Sequence, residues 1–256
     1  TLVMNFSIVH RNLTLLVFKD VRFEANEACV SITSSSAGTE HKQFIGIHID
    51  DSAFNNNGRR RIPIVPSLSW TILGVDTSLS HFVNVEMANV SFQHNYARTF
   101  GMIFVKNELG QTKFHMQAVN FTQNGLHDNT AGNSLIVLRS SIVSFFISQS
   151  HVKESKQRFL SIYSTQAAFN VSHMTMYGFS NSRSSLEQRG GAFYIESDLT
   201  KLFIKHCCFA NGVAYGHGGL LFVLTHNASI LIENSTALNL KSGAGGGVLH
   251  AMSNGQ

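Results

Sequence analysis

Eight times along this chain an alternating apolar segment runs into a short polar turn, and in seven of the eight the closing residue is asparagine. The segments read LTLLVFKDVRFEAN, FIGIHIDDSAFNNN, FVNVEMANVSFQHN, TKFHMQAVNFTQN, IVSFFISQSHVKES, AAFNVSHMTMYGFSN, TKLFIKHCCFAN and ASILIENSTALN. They end at Asn26, Asn57, Asn95, Asn124, Ser155, Asn181, Asn211 and Asn239, spaced by 31, 38, 29, 31, 26, 30 and 28 residues. Between them stand shorter apolar strands, GMIFV, NSLIVL, FLSIY and then three led by glycine, at Gly190-Gly191, Gly218-Gly219 and Gly246-Gly247. A period of this kind is the first thing a sequence reading has to explain.

Each repeat holds at least two short strands with side chains alternating in and out. The few inward apolar side chains of one repeat offset only a fraction of the entropy lost in ordering about 28 residues. A lone repeat therefore does not fold; it has to stack on its neighbours, each strand pairing with its equivalent one coil on. We accordingly expect an all-β fold, a right-handed parallel β-helix (solenoid) of about eight coils of roughly 28–31 residues. At about 4.8 Å per coil it would be some 40 Å long. A β-propeller needs about 40 residues and four strands per blade, more than these intervals supply.

The asparagines are expected at tight corners in the left-handed backbone region, where Asn is the best tolerated residue after Gly, with side chains hydrogen-bonded along the axis as a ladder. The phenylalanines three residues earlier, Phe23, Phe54, Phe92 and Phe121, would form an inward stack. Phe179 and Phe209 lie one place closer to their Asn, which implies an altered turn in the later coils. The glycine pairs read as corner devices and not as phosphate loops, since neither a helix pattern nor a following Lys accompanies them. The longest interval contains both prolines, Pro63 and Pro66, and predicts an excursion at about residues 58–80.

Glycine pairs before an apolar strand and F-x-x-N at its partner's end resemble the repeats of the polymorphic outer-membrane protein family. That family carries G-G-A-[ILV] and F-x-x-N on a right-handed β-helix of the pectin-lyase-like class. GGAF stands here at Gly190 to Phe193, and F-x-x-N at Phe23 to Asn26, Phe54 to Asn57, Phe92 to Asn95 and Phe121 to Asn124. The resemblance implies an exported surface adhesin, although no membrane-barrel pattern follows in this chain.

A net charge of +4 with scattered Lys and Arg leaves no basic stripe for nucleic acid. Only Arg59-Arg60-Arg61 cluster, which reads as a solvated loop tip. No apolar run approaches the ~18 residues that cross a bilayer. Seven N-x-[ST] sequons, at Asn5, Asn12, Asn89, Asn120, Asn170, Asn227 and Asn234, exceed chance and point to a secreted or cell-surface glycoprotein. The chain starts and stops in mid-pattern, so it is expected to be a single β-helix segment, residues 1–256, of a longer protein, its partners including flanking coils of the same protein. Cys29, Cys207 and Cys208 are too few for a disulfide framework, and adjacent Cys207 and Cys208 would face opposite sides of a strand.

Asp50-Asp51 and the GHG at Gly216 to Gly218 look like fragments of a polygalacturonase signature, but they sit about six repeats apart, too far for an acid and base pair. Six dispersed Asp do not stack into a Ca²⁺ site, and thirteen His without i, i+2 or i, i+4 pairing read as isolated turn or surface residues. No catalytic residue, metal ligand or cofactor is therefore expected. The sequence favours a non-catalytic segment for adhesion or for recognising glycans or proteins on its lateral surface. The alternatives are a polysaccharide lyase or hydrolase and a structural spacer.

Overall fold

The computed structural model describes residues 4–8, 13–24, 30–34, 44–57, 71–77, 82–97, 101–126, 134–155, 157–181 and 189–253. Within them the protein is an all-β parallel solenoid without helix. Every strand pair is parallel, and each strand pairs with its equivalent one repeat away. About six turns, rather than eight, have their circuit described; the first two coils add further rungs to an eight-stranded sheet.

Three faces enclose the core. A large sheet supplies two of them. In the middle coils single strands, Ile103–Gln117, Ser134–Ser148, Arg158–Ser172 and Phe193–Lys205, run through both faces, bending at a register shift between Asn107 and Gln111. In the outer coils the same path is split, as in Leu73–Thr77 followed by Phe82–Ala88. The third face is the eight-stranded sheet of three-residue strands, from Arg22–Glu24 to Thr236–Leu238. Leu73–Thr77 is thus a rung inside the expected excursion of 58–80, while residues 58–70, with the arginine cluster and both prolines, lie outside the described residues.

The inward aromatic stack is present. Phe23, Phe54, Phe92 and Phe121 follow one another at 4.8 Å with planes within 8° of parallel, the rung spacing of the sheet imposed on the rings. A second interior stack runs Phe114, Phe145, Phe169 at 6.0 and 5.5 Å. All but Phe23 of these rings are essentially without solvent exposure, so the core is a column of ring on ring along the axis.

The asparagine corner differs from the expectation in one respect. The left-handed residue is the one before the closing asparagine: Asn56, His94, Gln123 and Glu154 have φ of 55°, 53°, 51° and 55°. That left-handed step turns the next side chain inward, so Asn57, Asn95 and Asn124 are buried and form the ladder. Asn95 Oδ1 accepts from both the backbone N–H and Nδ2 of Asn57 at 3.0 Å, and Asn124 Oδ1 does the same for Asn95 at 2.9 and 3.1 Å. The Nδ2 groups also donate to the carbonyls of Phe23, Phe54 and Phe92 one coil back. Each buried amide is thereby satisfied, as a buried polar group has to be.

The later coils keep this turn instead of altering it. Phe209 pairs with Met176 in the old phenylalanine column, and Asn211 and Asn239 occupy the left-handed site, with φ of 56° and 51°. Phe179 fills the inward asparagine position, which is why it seemed displaced, and its ring lies where a Cβ on Gly212 would be. Asn239 Nδ2 donates to Asn211 Oδ1 at 3.1 Å on the exposed side. Asn181 lies two residues beyond Phe179 in the strand Ser180–Asn181, outside the column, and Asn26 is outside the described residues.

The two glycines of each pair have different reasons. Gly190, Gly218 and Gly246 have φ of 70°, 71° and 66°, a conformation costly for a residue with Cβ. A Cβ on Gly191 would overlap the carbonyl oxygen of Gly219, and one on Gly219 that of Gly247, because the coils touch backbone to backbone there. Gly191 N–H donates to Gly218 O, and Gly219 N–H to Gly246 O, both at 2.9 Å.

Cys207, just before the strand Cys208–Ala210, is buried and Cys208 is half-exposed, and both are free thiols; burial pushes the Cys207 thiol above its ordinary range. Cys29 lies outside the described residues.

Candidate lateral groove

The bend between the two faces of the large sheet places outward side chains from successive coils side by side. Asp76, Lys106, Arg139, Tyr163 and Glu196 pair in register, one per rung. Beyond the bend lie Glu108, Ser141 and Thr165. Glu108, Arg139, Ser140, Ser141, Tyr163, Ser164, Thr165 and Glu196 line an open depression of about 480 Å³ that runs along the solenoid axis.

Its geometry is that of cations on rings. The Arg139 guanidinium lies 5.0 Å over the Tyr163 ring, and Tyr163 packs against Tyr194 at 5.7 Å. Arg158 covers Tyr194 at 4.8 Å and Arg189 covers Phe222 at 5.1 Å. Tyr194, Phe222 and His250 stack nearly parallel at 5.6 and 5.4 Å. A guanidinium held over a ring face is attracted by the ring quadrupole, more so when water is excluded. Among the described residues Arg139 has no ion pair, and its side chain is exposed.

Arg158 is 2% exposed. Its Nε donates to Gly190 O at 3.1 Å, Nη1 to Ser161 Oγ at 3.0 Å, and Nη2 to Arg189 O. Burial pulls this guanidinium down to about 10, still charged at neutral pH. Two residues ahead of Leu160, which pairs with Phe193, it stands one rung below Gly191 and replaces the second glycine of the later coils. Thus one side chain ties down the carbonyls of the glycine corner above it.

Carboxylates flank the rings. Tyr194 Oη donates to Glu196 Oε2 at 2.8 Å; burial first, then this bond and the carboxylate charge, raise the Tyr194 hydroxyl far above its usual range, so it remains a donor. Lys106 Nζ lies 3.9 Å from Asp76 and 4.0 Å from Glu108. Glu108 and Glu196 are attached three rungs apart, about 14 Å along the axis, beyond the 5–9.5 Å that separates a glycosidase acid from its partner.

The fragments singled out from the sequence do not meet here. Asp50 caps the second coil, its carbonyl accepting from Ser52 Oγ, whereas His217 lies six coils on, beside His250. The histidines are less isolated than their spacing suggested: His173 stacks on His206 at 5.0 Å, and the His217 and His250 rings meet at 4.4 Å with planes tilted by 44°, because the coils bring together residues far apart in the chain. No cluster of three or more His, Cys, Asp or Glu that could hold a metal occurs among the described residues. No helix there is long and apolar enough to cross a membrane.

Of the sequons, Asn89, Asn120, Asn227 and Asn234 are exposed and Asn170 is half-buried; Asn5 lies in the strand Met4–Ile8, and Asn12 is outside the described residues. A sequence reading missed Arg139, Tyr163 and Glu196, since they belong to three repeats. The signal was available once LIVLR, FLSIY and AFYIE were aligned, because the last residue of each occupies the same position. Comparison with protein-family models, curated proteins and solved structures finds no match to this chain.

Proposed function

We propose that this chain is a non-catalytic segment of an extracellular or cell-surface β-helix that recognises glycan along the lateral groove, in the service of adhesion. The observation that carries this reading is the axial row of Arg139 on Tyr163, flanked by Glu108 and Glu196. A pyranose offers an apolar C–H face and a rim of hydroxyls. Arg139, held over the Tyr163 ring, supplies donors in a fixed plane, Glu108, Glu196, Ser141 and Thr165 supply acceptors, and the half-exposed Tyr163 side chain supplies an apolar contact beside them. An open trough along the solenoid suits a polymer better than a closed pocket would. The G-G-A-[ILV] and F-x-x-N resemblance to surface adhesins of the pectin-lyase-like class supports the same reading.

Catalysis is the weaker reading, because neither the Glu108 and Glu196 pair nor Asp50 and His217 stand at the separation that glycosidic chemistry requires. A glycan array probed with the wild type and with Tyr163→Ala and Arg139→Gln tests the proposal. Binding of at least one glycan class, reduced tenfold or more by Tyr163→Ala, is expected. Silence across the array, or binding indifferent to both substitutions, overturns it.

A further inference from the structure

Away from the groove, the outer surface of the second face carries a smaller cleft of about 290 Å³ lined by Asn170, Val171, Ser172, Phe203 and Lys205. Asn170 and Ser172 are the first and third residues of one sequon and stand on the same side of the strand, two positions apart. Asn170 pairs in register with Phe146 on one side and with Phe203 on the other. The outward column thus reads His115, Phe146, Asn170, Phe203, Leu231, a short polar side chain between two rings about 9.6 Å apart. Among the described residues the Asn170 carboxamide has no hydrogen-bond partner, in contrast to Asn89, whose Nδ2 donates to Asp51 Oδ1 at 3.2 Å.

We infer that Asn170 is an N-glycosylation site whose first sugar residue packs into this cleft against Phe203. The occupant follows from the floor of the cleft, which is the acceptor amide itself beside the sequon hydroxyl. In the transfer, Asn170 Nδ2 forms a bond to the anomeric carbon of a lipid-pyrophosphate-linked oligosaccharide. The anomeric C–O bond to that pyrophosphate breaks, the lipid pyrophosphate leaves, and the amide proton passes to a base of the transferase. The attached pyranose then lies along the strand surface with an apolar face toward the Phe203 ring and its hydroxyls toward Lys205 and solvent. This inference is independent of the groove: either stands if the other fails.

The test is secretion of the chain from a eukaryotic host, peptide mapping of each sequon, and thermal unfolding of the wild type, Ser172→Ala, Phe203→Ala and the double variant. Asn170 is expected to be occupied, and Ser172→Ala to empty it and lower Tm by about 2–4 °C. In the Phe203→Ala background the same loss of glycan should leave Tm nearly unchanged, which a merely solubilising glycan would not produce. An empty Asn170 beside an occupied Asn89 or Asn234, or an unmodified chain, overturns the site. Occupancy with equal Tm losses in both backgrounds overturns the packing.

Discussion

Replacing Asn95 by alanine tests whether the asparagine ladder contributes stability or merely decorates a turn. Asn95 Oδ1 is the acceptor for the Asn57 N–H, and Asn95 Nδ2 is the donor to Phe54 O at 2.7 Å. Both partners are buried with the ladder, so the substitution leaves the Asn57 backbone N–H without its acceptor and takes one of two partners from Asn57 Nδ2 and from the Phe54 carbonyl. At about 1–3 kcal/mol for an unsatisfied buried group, the loss is about 1–3 kcal/mol. The two groups facing Asn124 Oδ1 behave differently: the Asn95 backbone N–H still donates there, so that acceptor stays satisfied. Asn239→Ala is the internal control. Its bond to Asn211 is exposed, water replaces it, and the expected loss is below about 1 kcal/mol. Urea unfolding followed by far-ultraviolet circular dichroism measures both. A loss for Asn95→Ala no larger than for Asn239→Ala would refute the argument that burial of the ladder makes it essential.

Gly191→Val is expected to disrupt folding, since its side chain meets the carbonyl of Gly219, while Gly125→Ala should unfold within about 0.5 kcal/mol of wild type because the nearest atoms to its Cβ are Tyr96 ring carbons at 3.4 and 3.5 Å, an ordinary van der Waals contact. Equal tolerance at both, judged by soluble yield and melting, would sink the contact account. Arg158→Lys should lose about 2–3 kcal/mol in urea unfolding, as an ammonium cannot reach Gly190 O, Arg189 O and Ser161 Oγ from one plane over Tyr194. Wild-type stability in Arg158→Lys would show that charge alone, not the fork, holds the corner.

The repeat made the fold legible. Alternating apolar residues and the column of Phe23, Phe54, Phe92 and Phe121 demand stacking between equivalent positions, and the parallel register delivers it. What the residues did not reveal was which of them turns the corner. A second left-handed column, Asp20, Asp51, Asn89, Ala118, Gln149, His173, His206 and Asn234, is filled in six of its eight rungs by Asp, Asn or His, the types best tolerated there after glycine, yet it stands in the middle of the alternating segments, where the pattern reads as continuous strand. Hydrogen bonds to the next coil hold each rung in it whatever the residue, as in Ala118 N–H to Ser148 O at 3.1 Å. Local propensity is overridden only at Ala118 and Gln149, the two rungs without such a residue.

Sequence alone, then, determined that the chain coils, roughly how long each coil is, and that glycine and asparagine shape its corners, because these follow from periodicity and from what one residue type tolerates. Only the tertiary structure decided that Asn57, Asn95 and Asn124 point inward, that Phe179 stands in for an asparagine over Gly212, and that Arg139, Tyr163 and Glu196 form one row. Those outcomes depend on what lies one coil away, about 4.8 Å in space but 24 to 43 residues along the chain.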